Sequence, residues 1–204
     1  GGNPAVTIRN GHNVTLDITP ANSIGLITIS AGNSNTFLTF SGSNSLTVTG
    51  NTSIFATNNN RAKGILVDGG NFTTASLTLN STGGNDGTDS YLRISSGNVT
   101  ITDDISFSTV SSRTYIQFTG NGNLYVGGNM TGGGITRDNA GNTVDNGTVI
   151  YNSTDDQSIG AYTYYKLTMN GGGLKILTGN ITVNNNLTLT LGNTQLDNYS
   201  FTLA

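Results

Sequence analysis

Short alternations of apolar and polar residues run the length of the chain, interrupted every few residues by Gly, Asn and Ser. In Ile181–Leu189, the apolar Ile181, Val183, Leu187 and Leu189 alternate with Thr182 and Thr188 around a three-Asn corner at 184–186. An extended backbone turns successive side chains to opposite faces. The pattern therefore predicts two short strands with 181, 183, 187 and 189 inward and both threonines outward. Similar alternations occupy residues 5–9, 13–18, 24–29, 37–40, 64–68, 76–79, 91–94, 115–118 and 148–151. Residues 5–18 read as strand, tight turn at Asn10–Gly11–His12, strand. No segment carries the 3.6-residue period over the length that a helix requires.

Relatives of the Ile181 unit begin at Leu46, Val99 and Leu124. A coil of roughly 25–28 residues, counted once or twice, fits every interval between these starts, within the range of solenoid repeats. The expected architecture is all-β: a right-handed, single-stranded parallel β-helix (β-solenoid) of about seven or eight coils, forming one domain over 1–204. Stacked coils would bring Asn residues of one corner into hydrogen-bonding ladders. A β-sandwich is the alternative, but it calls for longer strands joined by tight two-residue hairpins.

Composition supports this reading. Only 9% of residues are charged, against about 25% in ordinary globular domains, and every acidic residue is Asp. Thr, Val, Ile, Tyr and Phe favour strands, and Asn and Gly favour turns. The net charge of −3 is unclustered and the eight Lys and Arg are scattered, so no basic stripe for nucleic acid exists. No apolar run reaches the ~18 residues of a membrane helix. With no Cys there are no disulfides or thiolate metal sites. A leader-like segment is not seen at Gly1–Pro4, and the chain reads as a mature or excised product. Scarce Lys, absent Glu and abundant Thr and Asn lean towards an extracellular protein.

The last third carries a recognisable order of segments: 147–151, 157–160, 162–169, 177–189 and 196–203. Together with the opening 4–17, it resembles the repetitive parallel β-helix regions of large secreted surface and adhesin-like proteins of Bacteroidetes-type bacteria. The resemblance implies a secreted stalk, adhesin passenger or matrix component; no catalytic signature stands out in the residues, and no enzyme is expected.

The candidate chemistry is thin. Asp103–Asp104 and Asp155–Asp156 are two coils apart, and paired carboxylates on a β-helix face serve polysaccharide hydrolysis, lysis or calcium binding. Asp103 and Asp104 nevertheless occupy the position of the Asn corner, which favours a turn role. The Gly/Asp-rich stretch 83–89 resembles one imperfect copy of a stacked calcium repeat; should calcium be a cofactor, Asp86 and Asp89 are its candidate ligands. The single His12 has no partner for a metal site. Thr-x-Thr pairs at 47/49, 100/102 and 188/190 would suit ice binding only as a continuous flat array. Asn-x-Ser/Thr sequons arise by chance in such a chain. Tyr162, Tyr164 and Tyr165 are candidates for stacking on a surface polysaccharide, although alternation sends at least one into the core. Finally, Ala5, Val6 and Ile8 at one end and Phe201 and Leu203 at the other lack any amphipathic cap. Two explanations are open: the chain is a segment of something longer, or unpaired strand edges there join copies into a homo-oligomer or filament.

Overall fold

The computed structural model describes residues 3–57, 60–82, 87–107, 113–132, 134–135 and 146–204. These form twenty-one strands and no helix, and all strand pairing is parallel. The chain winds so that each turn adds one strand to each face, the β-solenoid expected from the repeat.

The first face stacks β1 (Ala5–Ile8), β3 (Leu26–Ile29), the later halves of β5 (Ser45–Ala56) and β7 (Asn71–Ser81), β10 (Ile105–Phe107) and β13 (Met130–Thr131). The second stacks β2 (Val14–Leu16), β4 (Thr36–Phe40), β6 (Lys63–Val67), β8 (Ser90–Ile94), β11 (Thr114–Phe118) and β14 (Gly134–Ile135). The third takes the earlier halves of β5 and β7, then β9 (Asn98–Ile101), β12 (Asn123–Val126), β15 (Thr148–Tyr151) and the later halves of β17 (Thr163–Met169) and β19 (Ile181–Leu189). Two further stacks complete the upper turns. One is β16 (Gln157–Ile159), β18 (Lys175–Leu177) and β20 (Thr194–Gln195). The other runs from the start of β17 through the start of β19 to β21 (Phe201–Leu203). Thus β1 and β2, read as strand–turn–strand, do not pair with each other but open two different faces.

Turn length changes along the axis. On the third face Ile24, Val48, Thr74, Ile101, Val126 and Tyr151 lie in one column, with 24–27 residues per turn. From Tyr151 to Met169 the turn takes 18 residues, and from Met169 to Leu189 it takes 20. Wide turns therefore number about five and two narrow turns finish the column, where seven or eight coils of one length were expected. The register also corrects the placing of the Ile181 unit. Leu124 aligns through Val149 and Leu167 with Leu187, not with Ile181.

Inward residues build one continuous core from Ile8 to Val183, with Phe40, Phe72, Tyr151 and Tyr164 as its largest aromatic members. Ile181 and Val183 point inward as their alternation requires, but Leu189 is 57% exposed because nothing stacks above it. Most corners are closed by one device. An Asn or Asp side-chain oxygen accepts a backbone N–H from the next turn: Asn10 from Ser34, Asn13 from Phe37, Asn35 from Ala62, Asn129 from Ser158 and Asn180 from Ser200. Corner N–H groups that no ladder can satisfy are thereby paired within the protein.

Candidate functional site

The acidic pairs occupy equivalent corners two turns apart, each just after a third-face strand: Asp103–Asp104 before β10 and Asp155–Asp156 before β16. Asp104 accepts the N–H of Asn129 at 2.7 Å, and Asp156 accepts that of Leu174 at 2.9 Å. Both carboxylates thus do what Asn does at other corners. The backbone carbonyl of Asp103 receives Gly128 N–H, and Asn129 stands between the two levels.

Asp86 lies outside the described residues. Asp89 is buried, its carboxylate 3.6 Å from the Arg113 guanidinium and accepting the Tyr115 hydroxyl at 3.3 Å. That arrangement neutralises the carboxylate within the protein, as a buried charge requires. Among the described residues, no group of three or more His and Asp side chains could hold a metal ion.

Tyr164 is core. Its hydroxyl meets that of Tyr151 at 3.0 Å and donates to Gly160 O at 2.7 Å. Tyr162 packs edge-on against Tyr164 and donates to Gly132 O at 2.6 Å. Burial pushes all three phenols up, Tyr162 to about 12. Tyr165 sits at a register shift, accepts a bond from Asn185 and lies under Lys166 Nζ at 5.6 Å. The three tyrosines therefore do not form one exposed stacking platform. Gly160 lets Tyr162 lie close: a Cβ there would stand 2.1 Å from its ring.

The outward threonine column runs Thr47, Thr73, Thr100, then Tyr125 and Ile150, then Thr168 and Thr188. Two large side chains break the flat hydroxyl array that ice binding would need.

Two buried lysines escaped the sequence reading. Lys63 and Lys175 are fully enclosed. Lys63 Nζ donates to Asn10 Oδ1 at 2.9 Å, to Thr36 Oγ1 at 3.2 Å and to Ser34 O. Lys175 Nζ donates to Ser153 O at 2.7 Å. Desolvation lowers both amines; Arg61 adds to the effect at Lys63, while Asp156 opposes it at Lys175. Each lysine reaches down to a corner carbonyl of an earlier turn. Lys63 shares a wholly buried polar column with Thr36, Ser90 and Thr114. The signal was present: Lys63 is in phase with inward Ile65 and Val67, and Lys175 with Leu177.

The ends differ from the middle. All the large hydrophobic residues exposed among those described belong to the first turn or the last: Val14, Ile18 and Leu26 below, and Leu189, Leu191, Leu196, Tyr199 and Leu203 above. At the lower end, Ala5 is exposed, Val6 half-buried and Ile8 buried. Val6, Ile8, Val14, Leu16, Ile24 and Leu38 line an open apolar cavity of about 550 Å³, with Arg9 and His12 also at its wall. At the upper end Phe201 is half-buried and Leu203 is 67% exposed. β1 and β21 each pair on one side only. No family model matches the chain, and no curated protein or solved structure is detectably similar to it.

Proposed function

We propose that this chain is a structural extracellular protein: a β-solenoid subunit or segment of a cell-surface filament, stalk or adhesin, without enzymatic activity. The observation that carries the reading is the use made of the polar side chains. Asp104, Asp156, Lys63 and Lys175 bond one turn to another, and Asp89 is paired inside the fold. Groups engaged in stacking are not free to cycle protons or hold a substrate, whereas a scaffold needs such bonds repeated along its axis. The outward surface is rich in Thr, Ser and Asn and low in charge, as suits a solvated rod.

The test is location. Antibodies raised against the folded chain should label the surface of unbroken producing cells, and mild protease treatment of those cells should remove the label. Label that appears only after lysis would overturn the proposal.

A further inference from the structure

The first and last turns of the solenoid are both shorter than the wide turns between them. The first turn, Ala5 to Leu26, takes 21 residues, and the last, Ile181 to Phe201, takes 20. Wide turns between them take up to 27 on the third face. A coil that continues the stack must match the perimeter beneath it, because each inward side chain rests on its counterpart one turn away.

The inward columns also meet. On the third face the column that ends in exposed Leu189 begins with Ile24. Around the upper turn β20 is followed by β21, as β1 is followed by β2 below. The core residues of β21 are Phe201 and Leu203, flanking Thr202; those of β2 are Val14 and Leu16, flanking Thr15. Both strands read apolar–Thr–apolar. One end presents projecting leucines, Leu189 and Leu203, and the other an open apolar cavity walled by Val14, Leu16 and Ile24.

We infer that the occupant of the lower cavity is the upper end of a second copy of this chain. In the joint β2 adds to the free edge of β21 as a parallel strand, with Val14 on Phe201, Thr15 on Thr202 and Leu16 on Leu203. Leu189 enters the cavity above Ile24. The contact joins two different surfaces, so it is heterologous and propagates as a filament along the solenoid axis. Backbone groups left open on both edge strands are paired in the joint, and the apolar ends leave water together. The inference rests on the scaffold reading but adds a defined junction, and the surface-labelling result is independent of it.

The test uses the chain of 204 residues. At rising protein concentration, light scattering and negative-stain microscopy should show rods that lengthen along one axis. The double variant Leu189→Asp/Leu203→Asp alters two exposed positions, and its circular dichroism should match the parent. It should remain monomeric at concentrations where the parent assembles. Since the chain has no cysteine, the double variant Thr15→Cys/Thr202→Cys reports the register. Oxidised, it should give a ladder of disulfide-linked multimers on a non-reducing gel, while either single variant should give none beyond dimer. Folded parent that stays monomeric at all concentrations overturns the inference. So do rods that persist in the Asp variant, or rods without a cysteine ladder. Surface labelling that succeeds while assembly fails removes the junction and leaves the scaffold reading standing.

Discussion

The wide turns up to Tyr151 and the narrow turns above it stack in the same way but close their corners differently. In wide turns the passage from first to second face takes six to eight residues, between β3 and β4, β5 and β6, and β7 and β8. In narrow turns the passage from β16 to β17 and from β18 to β19 takes three, 160–162 and 178–180. The uninterrupted corner moves as well. β5 and β7 run straight from third face to first, whereas β17 and β19 run straight from the stack that ends in β21 to the third face. Core chemistry follows the perimeter. In the wide turns the core packs Phe40 against Phe72 with centroids 5.4 Å apart. The narrow section brings the Gly160 carbonyl within reach of the core, so a tyrosine can be buried there with its hydroxyl satisfied. Tyr151 and Tyr164 are thus the aromatics buried where the coil shortens, with the Gly160 carbonyl accepting the Tyr164 hydroxyl.

The most damaging way to break the contrast is at the junction. Tyr151 is fully buried and holds both Tyr164 and the Gly160 N–H. Tyr151→Ala should cost about 3–5 kcal/mol by denaturant melting, the usual range for emptying a buried aromatic site. Because each turn contacts chiefly its neighbours, the loss should be local. Hydrogen exchange should show lost protection across 157–203 and retained protection in 26–126; uniform loss would refute the division into two sections. Tyr151→Phe keeps the ring and should cost about 1 kcal/mol, the worth of a hydroxyl bond.

Alkaline titration probes the same junction. The folded pKa values of Tyr151, Tyr162 and Tyr164 are raised above 10.0, so the folded state keeps phenolic protons that the unfolded chain releases. Stability from these groups is present below pH 10 and is lost as pH rises beyond it. The lysines act in the opposite sense. Lys63 and Lys175 are lowered from 10.5, so their contribution grows as pH climbs towards that value. Melting temperature should rise modestly through the alkaline range, peak near pH 10 and fall above it. The fall should start first in the narrow turns, as read by exchange or by tyrosinate absorbance.

The buried lysines give a third, smaller contrast. Lys63→Met strips a donor from three acceptors, Asn10 Oδ1, Thr36 Oγ1 and Ser34 O, for a loss of about 1–3 kcal/mol. Lys175 reaches a single corner carbonyl, and Lys175→Met should cost about 1 kcal/mol. Equal losses would mean that the interior polar columns contribute alike in both sections.

The stack itself was legible because alternation, corner Asn and the 25-residue spacing all encode it, as Leu46, Val99 and Leu124 share one column. The narrowing was not. Leu124 and Ile181 both start an apolar–x–apolar segment, and nothing local distinguishes three turns of unequal length from two equal ones. Only pairing does, and it places Leu187 in that column. The lysines were hidden for a different reason. A charged residue is read as solvated unless its phase is weighed, and Lys63 and Lys175 sit in the inward phase. The tyrosines at 162–165 looked like a surface patch because a register shift between Tyr164 and Lys166 breaks strict alternation there. Asp103 and Asp104 could be assigned to a corner from their sequence position alone, since Asp and Asn offer the same acceptor to a neighbouring N–H.

The asparagine ladder is the mildest place to separate the two sections. Asn98 Nδ2 donates to Asn71 Oδ1, and Asn123 Nδ2 donates to Asn98 Oδ1, each at 3.0 Å; Asn71 continues the chain to Ser45. The same column goes on through Thr148 and Lys166 to Asn186, so the ladder ends at Asn123, one wide turn below the narrow section. At Asn186 the side chain bonds only to Thr188 in its own strand. Asn98→Ala should remove both rungs at once and cost about 1 kcal/mol, since each partly solvated bond has a small net value. Asn186→Ala should change stability by no more than about 0.5 kcal/mol, as exposed substitutions away from such features do. The paired measurement is the midpoint of urea unfolding at constant slope. A loss at Asn186 as large as that at Asn98 would show that corner asparagines act through local turn preference, and the ladder would then add nothing between turns.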